Sequence, residues 1–259
     1  MPSRRRRSQQ DAQEIKSTQI DLPEEQALPL LESGEIIGGY RLPWGSNYTF
    51  LVFIDAGEDQ HIRAIYKPRD GERPLHDYPR GTLYKREYAT FAVSRALGWP
   101  NVPHTLIREG PYGIGSVQLY VECDPEITYF NLLDDHADEF LKFAVFDLVV
   151  NNGDRKAGHC LLGEDGRLWS IDHGLTFHPS FKLRTVMVEY WGKPIPGDLV
   201  VDMRALLSQL DSPDGLVASL ADMITDKELK ALKRRLYAVL NEPTLPALDP
   251  HRNVPWPWV

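Results

Sequence analysis

Apolar and polar positions divide the chain into a front part with a period of two and a back part with helical spacing. Residues 49–54 form an apolar run, and Asp55-Ala56-Gly57-Glu58 after it reads as a hairpin turn. Residues 61–67 alternate Ile62, Ala64 and Tyr66 against Arg63, Ile65 and Lys67, the pattern of a half-buried strand. Residues 82–97 place Tyr84, Glu87, Tyr88 and Phe91 on one helical face and stop at Gly98, so a helix is expected there. Two more strands are expected at 101–107 and 116–121. Further on, residues 138–150 are apolar nearly all round through Phe140, Leu141, Ala144 and Leu148, which predicts a buried helix. Helices follow over 199–210, 215–224 and 225–240. The last opens with Thr225 and Glu228 at capping-box spacing and carries Leu229, Leu232, Leu236, Val239 and Leu240 as its apolar stripe. The Pro- and Trp-rich end is expected to pack Trp256 and Trp258 back on the body.

The stretch 147–177 carries the chemistry. The apolar runs Cys160-Leu161-Leu162 and Leu168-Trp169-Ser170-Ile171 flank a turn, Glu164-Asp165-Gly166, and predict a short β-hairpin. Charged clusters stand at both hairpin ends: Asp154-Arg155-Lys156 with His159 at the entry, and Asp172-His173-Gly174 at the exit. Both ends lie on one side of a hairpin, so His159 and Asp172 should meet, with Asp154 in the loop just before. Gly153 permits an unusual backbone angle there. Phosphoryl transfer from a nucleotide needs such a set. One carboxylate orients the attacking hydroxyl and takes its proton, and a second, with a further ligand, holds the metal that bridges the phosphates. Protein kinases space these groups as Asp-x-x-x-x-Asn and then Asp-Phe-Gly after a hairpin. Here the spacing is Asp154-x-x-x-x-His159 and then Asp172-His173-Gly174.

Gly153-Asp154-Arg155, the Asp165-Gly166 turn, Ile171-Asp172-x-Gly174 and the interval from His159 to Asp172 resemble the catalytic and metal-binding loops of the phosphatidylinositol 3-/4-kinase superfamily. The chain looks like a small bacterial, actinobacterial-looking branch, with HipA-type kinases as distant relatives. The resemblance covers residues 38–177. It implies an α+β, bilobal protein-kinase-like fold with a β-rich N-lobe and a mostly helical C-lobe. The expected division is a disordered tail at 1–27, an N-lobe at 28–122 and a C-lobe at 123–259. It implies Asp154 as catalytic aspartate, Asp172 as metal ligand, Lys67 as the lysine on the α/β-phosphates, and Lys156 as a charge beside the transferring phosphoryl group. Glu87, on the inward face of its helix, is the expected partner of Lys67. The loop holding Gly45, Ser46 and Asn47 is expected to lay backbone N–H groups on phosphates. The strand 115–122 resembles the hinge of type II phosphatidylinositol 4-kinases, where Leu119 and Val121 would meet the adenine edge. His159 departs from the family, which has asparagine there. Imidazole suits Mn²⁺, Fe or Zn²⁺ better than Mg²⁺, so the expected cofactors are ATP with Mg²⁺ or Mn²⁺.

Charge and composition narrow the partners. The formal net charge of −8 argues against general nucleic-acid binding, which needs a basic surface. No apolar run approaches the roughly 20 residues that span a bilayer. Arg4, Arg5, Arg6 and Arg7 lead into a polar stretch and not an apolar one, so a signal peptide is not expected and the default location is cytoplasmic. Cys123 and Cys160 do not suggest a disulfide framework. The expected activity is an ATP-dependent phosphotransferase acting on an unknown hydroxyl acceptor, which is a protein, a small soluble molecule or an inositol lipid. Two alternatives stand beside it. One is a nucleotide-binding pseudokinase acting by interaction. The other is a metal-dependent hydrolase built on His159, Asp172, His173 and His178.

Overall fold

The computed structural model describes residues 17–43, 45–99 and 101–259. The Arg4–Arg7 run lies outside the described residues. Contacts group the chain into two units. One is residues up to Tyr84 with His104–Tyr120, and the other is Lys85–Pro103 with Val121–Val259.

The first unit is a sheet with one helix on it. Its elements are β1 (Thr18–Gln19), α1 (Glu24–Ser33), β2 (Ile36–Arg41), β3 (Phe50–Gly57) and β4 (Gln60–Pro68). Thus part of the segment expected to be a disordered tail is structured: Thr18 pairs with Gln60, and α1 begins at Glu24. The reason lies in Ala27 and Leu31, which bury completely against Val52, Ile54 and Ile62. The helix α2 (Leu83–Leu97) follows, then β5 (Thr105–Gly110) and β6 (Gly113–Leu119). Strand order is β2-β3-β4-β6-β5, antiparallel throughout, with β1 parallel to the first residues of β4. The alternation read in the sequence sets the faces: Ile62, Ala64 and Tyr66 are buried, and Lys67 is half-buried opposite Ser116. Gly115 is required beside Lys67, because a Cβ there would stand 2.4 Å from the Lys67 carbonyl oxygen.

The second unit is mostly helical. From Lys85 onward α2 belongs to it, with α3 (Tyr129–Leu132), α4 (Ala137–Val150) and the hairpin β7 (Cys160–Leu162) and β8 (Leu168–Ser170). Then come α5 (Gly197–Leu210), α6 (Leu216–Leu220), α7 (Asp226–Asn241) and α8 (Pro250–Asn253). Phe140, Phe146, Val149, Met203, Leu206 and Leu236 share one core. α7 is capped as its sequence predicts: Thr225 Oγ1 accepts from the Glu228 N–H, and the Glu228 carboxylate accepts from the Thr225 N–H at 2.8 Å. The same buried carboxylate takes Arg86 Nη2 of α2 at 2.5 Å, and Arg86 Nη1 donates to the Thr176 carbonyl. One residue therefore caps α7 and anchors α2. Trp256 and Trp258 do not pack back on the body. They stack edge to face on each other, 83 % and 53 % exposed. Among the described residues no helix is long and apolar enough to cross a membrane.

Candidate active site

α4 delivers the chain to the site and stops abruptly. Asn151, two residues before the Gly153 that permits an unusual angle, closes it in the left-handed region (φ 56°). Its side chain holds the return segment, donating to the carbonyls of His178 and Ser180 and accepting from the Lys182 N–H. Asn152 turns the next residue: its Oδ1 accepts from the Asp154 N–H at 3.0 Å, and its Nδ2 donates to Asp147.

The hairpin pairs Cys160 with Ser170, Leu161 with Trp169 and Leu162 with Leu168. At its open end the Ile171 N–H donates to the His159 carbonyl at 3.0 Å. The side chains beyond meet as the hairpin geometry requires: His159 Nε2 stands 3.3 Å from Asp172 Oδ2. Asp172 holds a left-handed φ of 61°, a costly angle for an aspartate that persists only where its surroundings enforce it. Lys156 Nζ lies 3.7 Å from Asp154 Oδ2. Burial raises the Asp154 carboxyl to about 6. Asp172 adds to the rise, and Lys156 and Arg184 work against it.

A buried clamp that sequence reading missed holds these groups. Arg155 is fully buried. Its Nε and Nη2 form a two-pronged pair with Asp147 at 2.8 and 2.9 Å. Nη1 donates to the carbonyls of His159 (3.1 Å) and Ile171 (3.2 Å), and Nη2 reaches Ser170 Oγ and His173 Nε2. Burial alone would lower the guanidinium's pKa, but the Asp147 carboxylate outweighs it and the net shift is upward. Asp147 is the signal that was available: a carboxylate inside the apolar run from Phe143 to Val150. Glu87, also buried, accepts from the His173 N–H at 2.9 Å, so α2 braces the loop that carries Asp172.

The other expected residues fall as follows. Ser46 is exposed. Asn47 is half-buried, and its Oδ1 accepts from the Arg73 N–H at 2.7 Å, stapling its loop to the segment after β4. Leu119 ends β6 with its N–H on the His104 carbonyl, and Val121 is half-buried just beyond. The hydrolase set is not gathered. His173 is buried on Arg155 and Ser170, and among the described residues no three His, Cys, Asp or Glu side chains are placed to hold an ion. His159 and Asp172 instead offer two donors at a partly exposed edge. Such a pair would leave an ion to be completed by nucleotide phosphates and water; the carboxylate suits Mg²⁺, and the imidazole suits Mn²⁺ better. Cys160 is buried and its thiol is pushed up to about 12, a packed side chain and not a reactive one.

The fold is kinase-like, and residues 79–234 match the family described as phosphatidylinositol 3- and 4-kinase. The chain belongs to that family, as its loop motifs led us to expect. Its relatives include Protein Rv2133c of Mycobacterium tuberculosis (strain ATCC 25618 / H37Rv), 37 % identical over 88 % of this chain and 94 % of that protein. Phosphatidylinositol 4-kinase gamma 4 of Oryza sativa subsp. japonica is 26 % identical over 57 % of this chain, which spans 32 % of the rice protein. Among solved structures, hydra Fam20 with sugar aligns with a TM-score of 0.50 at 16 % identity, over 88 % of this chain and 90 % of that one, a likeness of fold. The family match takes in Glu87, Asp154, His159 and Asp172. Lys67, Ser46 and Asn47 lie before it.

Proposed function

We propose that the protein is an ATP-dependent phosphotransferase with Asp154 as its catalytic aspartate. The observation that carries the reading is the meeting of His159 and Asp172 at 3.3 Å at the open end of the hairpin, with Asp154 in the loop that leads into it. Asp154 accepts the proton of an acceptor hydroxyl. A carboxyl raised to about 6 is ionised at neutral pH yet basic enough to take that proton. Lys156, beside it, offsets charge on the phosphoryl group in transit. Asp172 and His159 would hold Mg²⁺ or Mn²⁺, which when bound neutralises charge on the phosphates. By the family resemblance Lys67 serves the α/β-phosphates and Leu119 and Val121 the adenine, and the Ser46–Asn47 loop lays backbone N–H groups on the phosphates. The acceptor is a protein, a small soluble molecule or an inositol lipid. The setting is cytoplasmic.

One observation favours a second reading, a nucleotide-binding pseudokinase. His159 Nδ1 faces the Lys156 N–H at 3.4 Å, which places the proton of the neutral ring on Nε2, pointed at Asp172. An ion taken at Nε2 must displace that proton. Calorimetric titration of ATP with Mg²⁺ and separately Mn²⁺, beside Asp172→Ala, tests both readings. Metal-dependent binding abolished by the substitution is the expected result. Binding without turnover of ATP supports the pseudokinase, and no binding with either metal removes both.

A further inference from the structure

Three stretches of main chain run side by side at the catalytic loop. The Arg155 N–H donates to the Arg184 carbonyl at 2.9 Å, and the Val186 N–H returns to the Arg155 carbonyl. The chain's last residues join this pair from the far side. The Thr185 N–H donates to the Asn253 carbonyl at 2.8 Å, and Asn253 Nδ2 donates to the Leu183 carbonyl at 2.7 Å. Then the Ala157 N–H donates to the Trp258 carbonyl at 2.8 Å, three residues after Asp154. Val259 lies near Gly158: its Cγ1 is 3.8 Å from where a Cβ on that glycine would be.

We propose that residues 253–259 are a strap that positions the catalytic loop, with the Trp258 main-chain carbonyl as its fastening point. The proposal rests on the phosphotransferase reading for its effect on turnover, but not for its geometry. The Arg155 clamp reaches the loop only as far as the carbonyl of His159 on one side and Asp147 on the other. Ala157, between them, is held from outside by the strap. Asp154 and Lys156 lie on the short arc that these two holds define. A strap that instead blocked the acceptor would cover the carboxylates, yet the Asp154 and Asp172 side chains keep 31 % and 50 % of their surface open. The fastening also explains the exposed indoles. The main chain of Trp258 is committed to Ala157, so the edge-to-face Trp pair is turned outward.

The test removes residues 256–259 from the full chain and compares it with wild type and with Trp256→Ala. The variant Trp256→Ala loses an exposed indole but keeps the main-chain bond. Hydrogen exchange at the Ala157 amide and metal-dependent release of ADP from ATP, with water as acceptor, are measured on each. In the truncated chain Ala157 should exchange at least tenfold faster and ADP release should fall about tenfold. The ATP affinity and the exchange of core amides in α4 should stay within twofold. Trp256→Ala should match wild type in both measurements. Unchanged exchange at Ala157 overturns the proposal. So does faster ADP release, which would mean the segment covers the site, and so does a Trp256→Ala effect equal to truncation, which would put the action in the side chain. Absence of ATP turnover in the wild type, with Ala157 exchange still released by truncation, removes the phosphotransferase reading and keeps the strap.

Discussion

Asp147 and Asp154 stand seven residues apart and meet opposite treatment. Asp147 is fully buried, and both its oxygens are engaged by Arg155 and Asn152. Asp154 is left with a lysine at 3.7 Å and a neighbouring carboxylate, and its own pKa is raised to about 6. The first arrangement satisfies every charge and makes a fixed frame. The second withholds satisfaction and leaves a carboxylate in the state that the proposed function asks of a general base. The two depend on each other, because the guanidinium that neutralises Asp147 also holds the main chain of the loops bearing Asp154, His159 and Asp172. A preorganised site is stabilised in this way by groups that never touch the substrate.

The comparison breaks most completely at Arg155. Arg155→Ala leaves a buried unpaired aspartate, and removal of one partner of a buried pair costs about 3–5 kcal/mol. Urea unfolding should show that loss, and the surviving folded fraction should have little ATP turnover. Arg155→Lys keeps the charge but cannot reproduce the two-pronged fork, so it should fall between.

Asp154→Asn should separate the two regions cleanly. Turnover should drop by about 10²–10⁴, the usual contribution of a general base, with ATP affinity retained. Stability should move the other way. The folded-state carboxyl near 6 lies above the ordinary value of 3.8, so the native state holds its proton more tightly than the unfolded chain. Wild-type stability therefore falls as pH rises from about 4 to about 6 and stays at the lower level above. The substitution removes that penalty. Allowing for the partial exposure of the side chain, the gain in the metal-free protein is about 1–2 kcal/mol at pH 7 and vanishes below about pH 4. Thermal melts across that range measure it, and a gain that persists at pH 3 would mean that burial of charge is not its origin. Turnover by the wild type should fall below about pH 6, as Asp154 takes up its proton.

The smallest effect is expected at a distance from both aspartates. Thr225→Ala removes a helix cap and should cost about 1 kcal/mol. The Glu228 carboxylate still pairs with Arg86, so turnover should hold while the melting temperature falls. A matching loss of turnover would show that the α7 cap is coupled to the site.

Much of the site was legible because hairpin geometry is local. Two short apolar runs around an Asp-Gly turn force the residues at their open ends together, and His159 and Asp172 follow. The helices over 83–97 and 226–241 carry their boundaries in Gly98 and in the Thr225–Glu228 box. What was not legible is long-range or belongs to the main chain. Arg155 looks like one more charge in a charged cluster, and only the folded chain gives its side chain six bonds to five residues inside the protein. Residue type points to Gly153 as the place for an unusual backbone angle, whereas the helix end puts a left-handed one on Asn151, whose side chain then ties down the return segment. The fastening of Ala157 to Trp258 uses a carbonyl, which every residue has, so no side-chain pattern announces it.

The shared hold of Arg155 on the carbonyls of His159 and Ile171 has a consequence for how such a site can change over evolutionary time. Spacing is fixed by main chain, and, under the proposed function, ligand identity by the side chain at position 159. The seat can be refitted with a different donor, histidine or asparagine, without retooling the frame. Metal preference can then drift by single substitutions while the machinery around it stays in register.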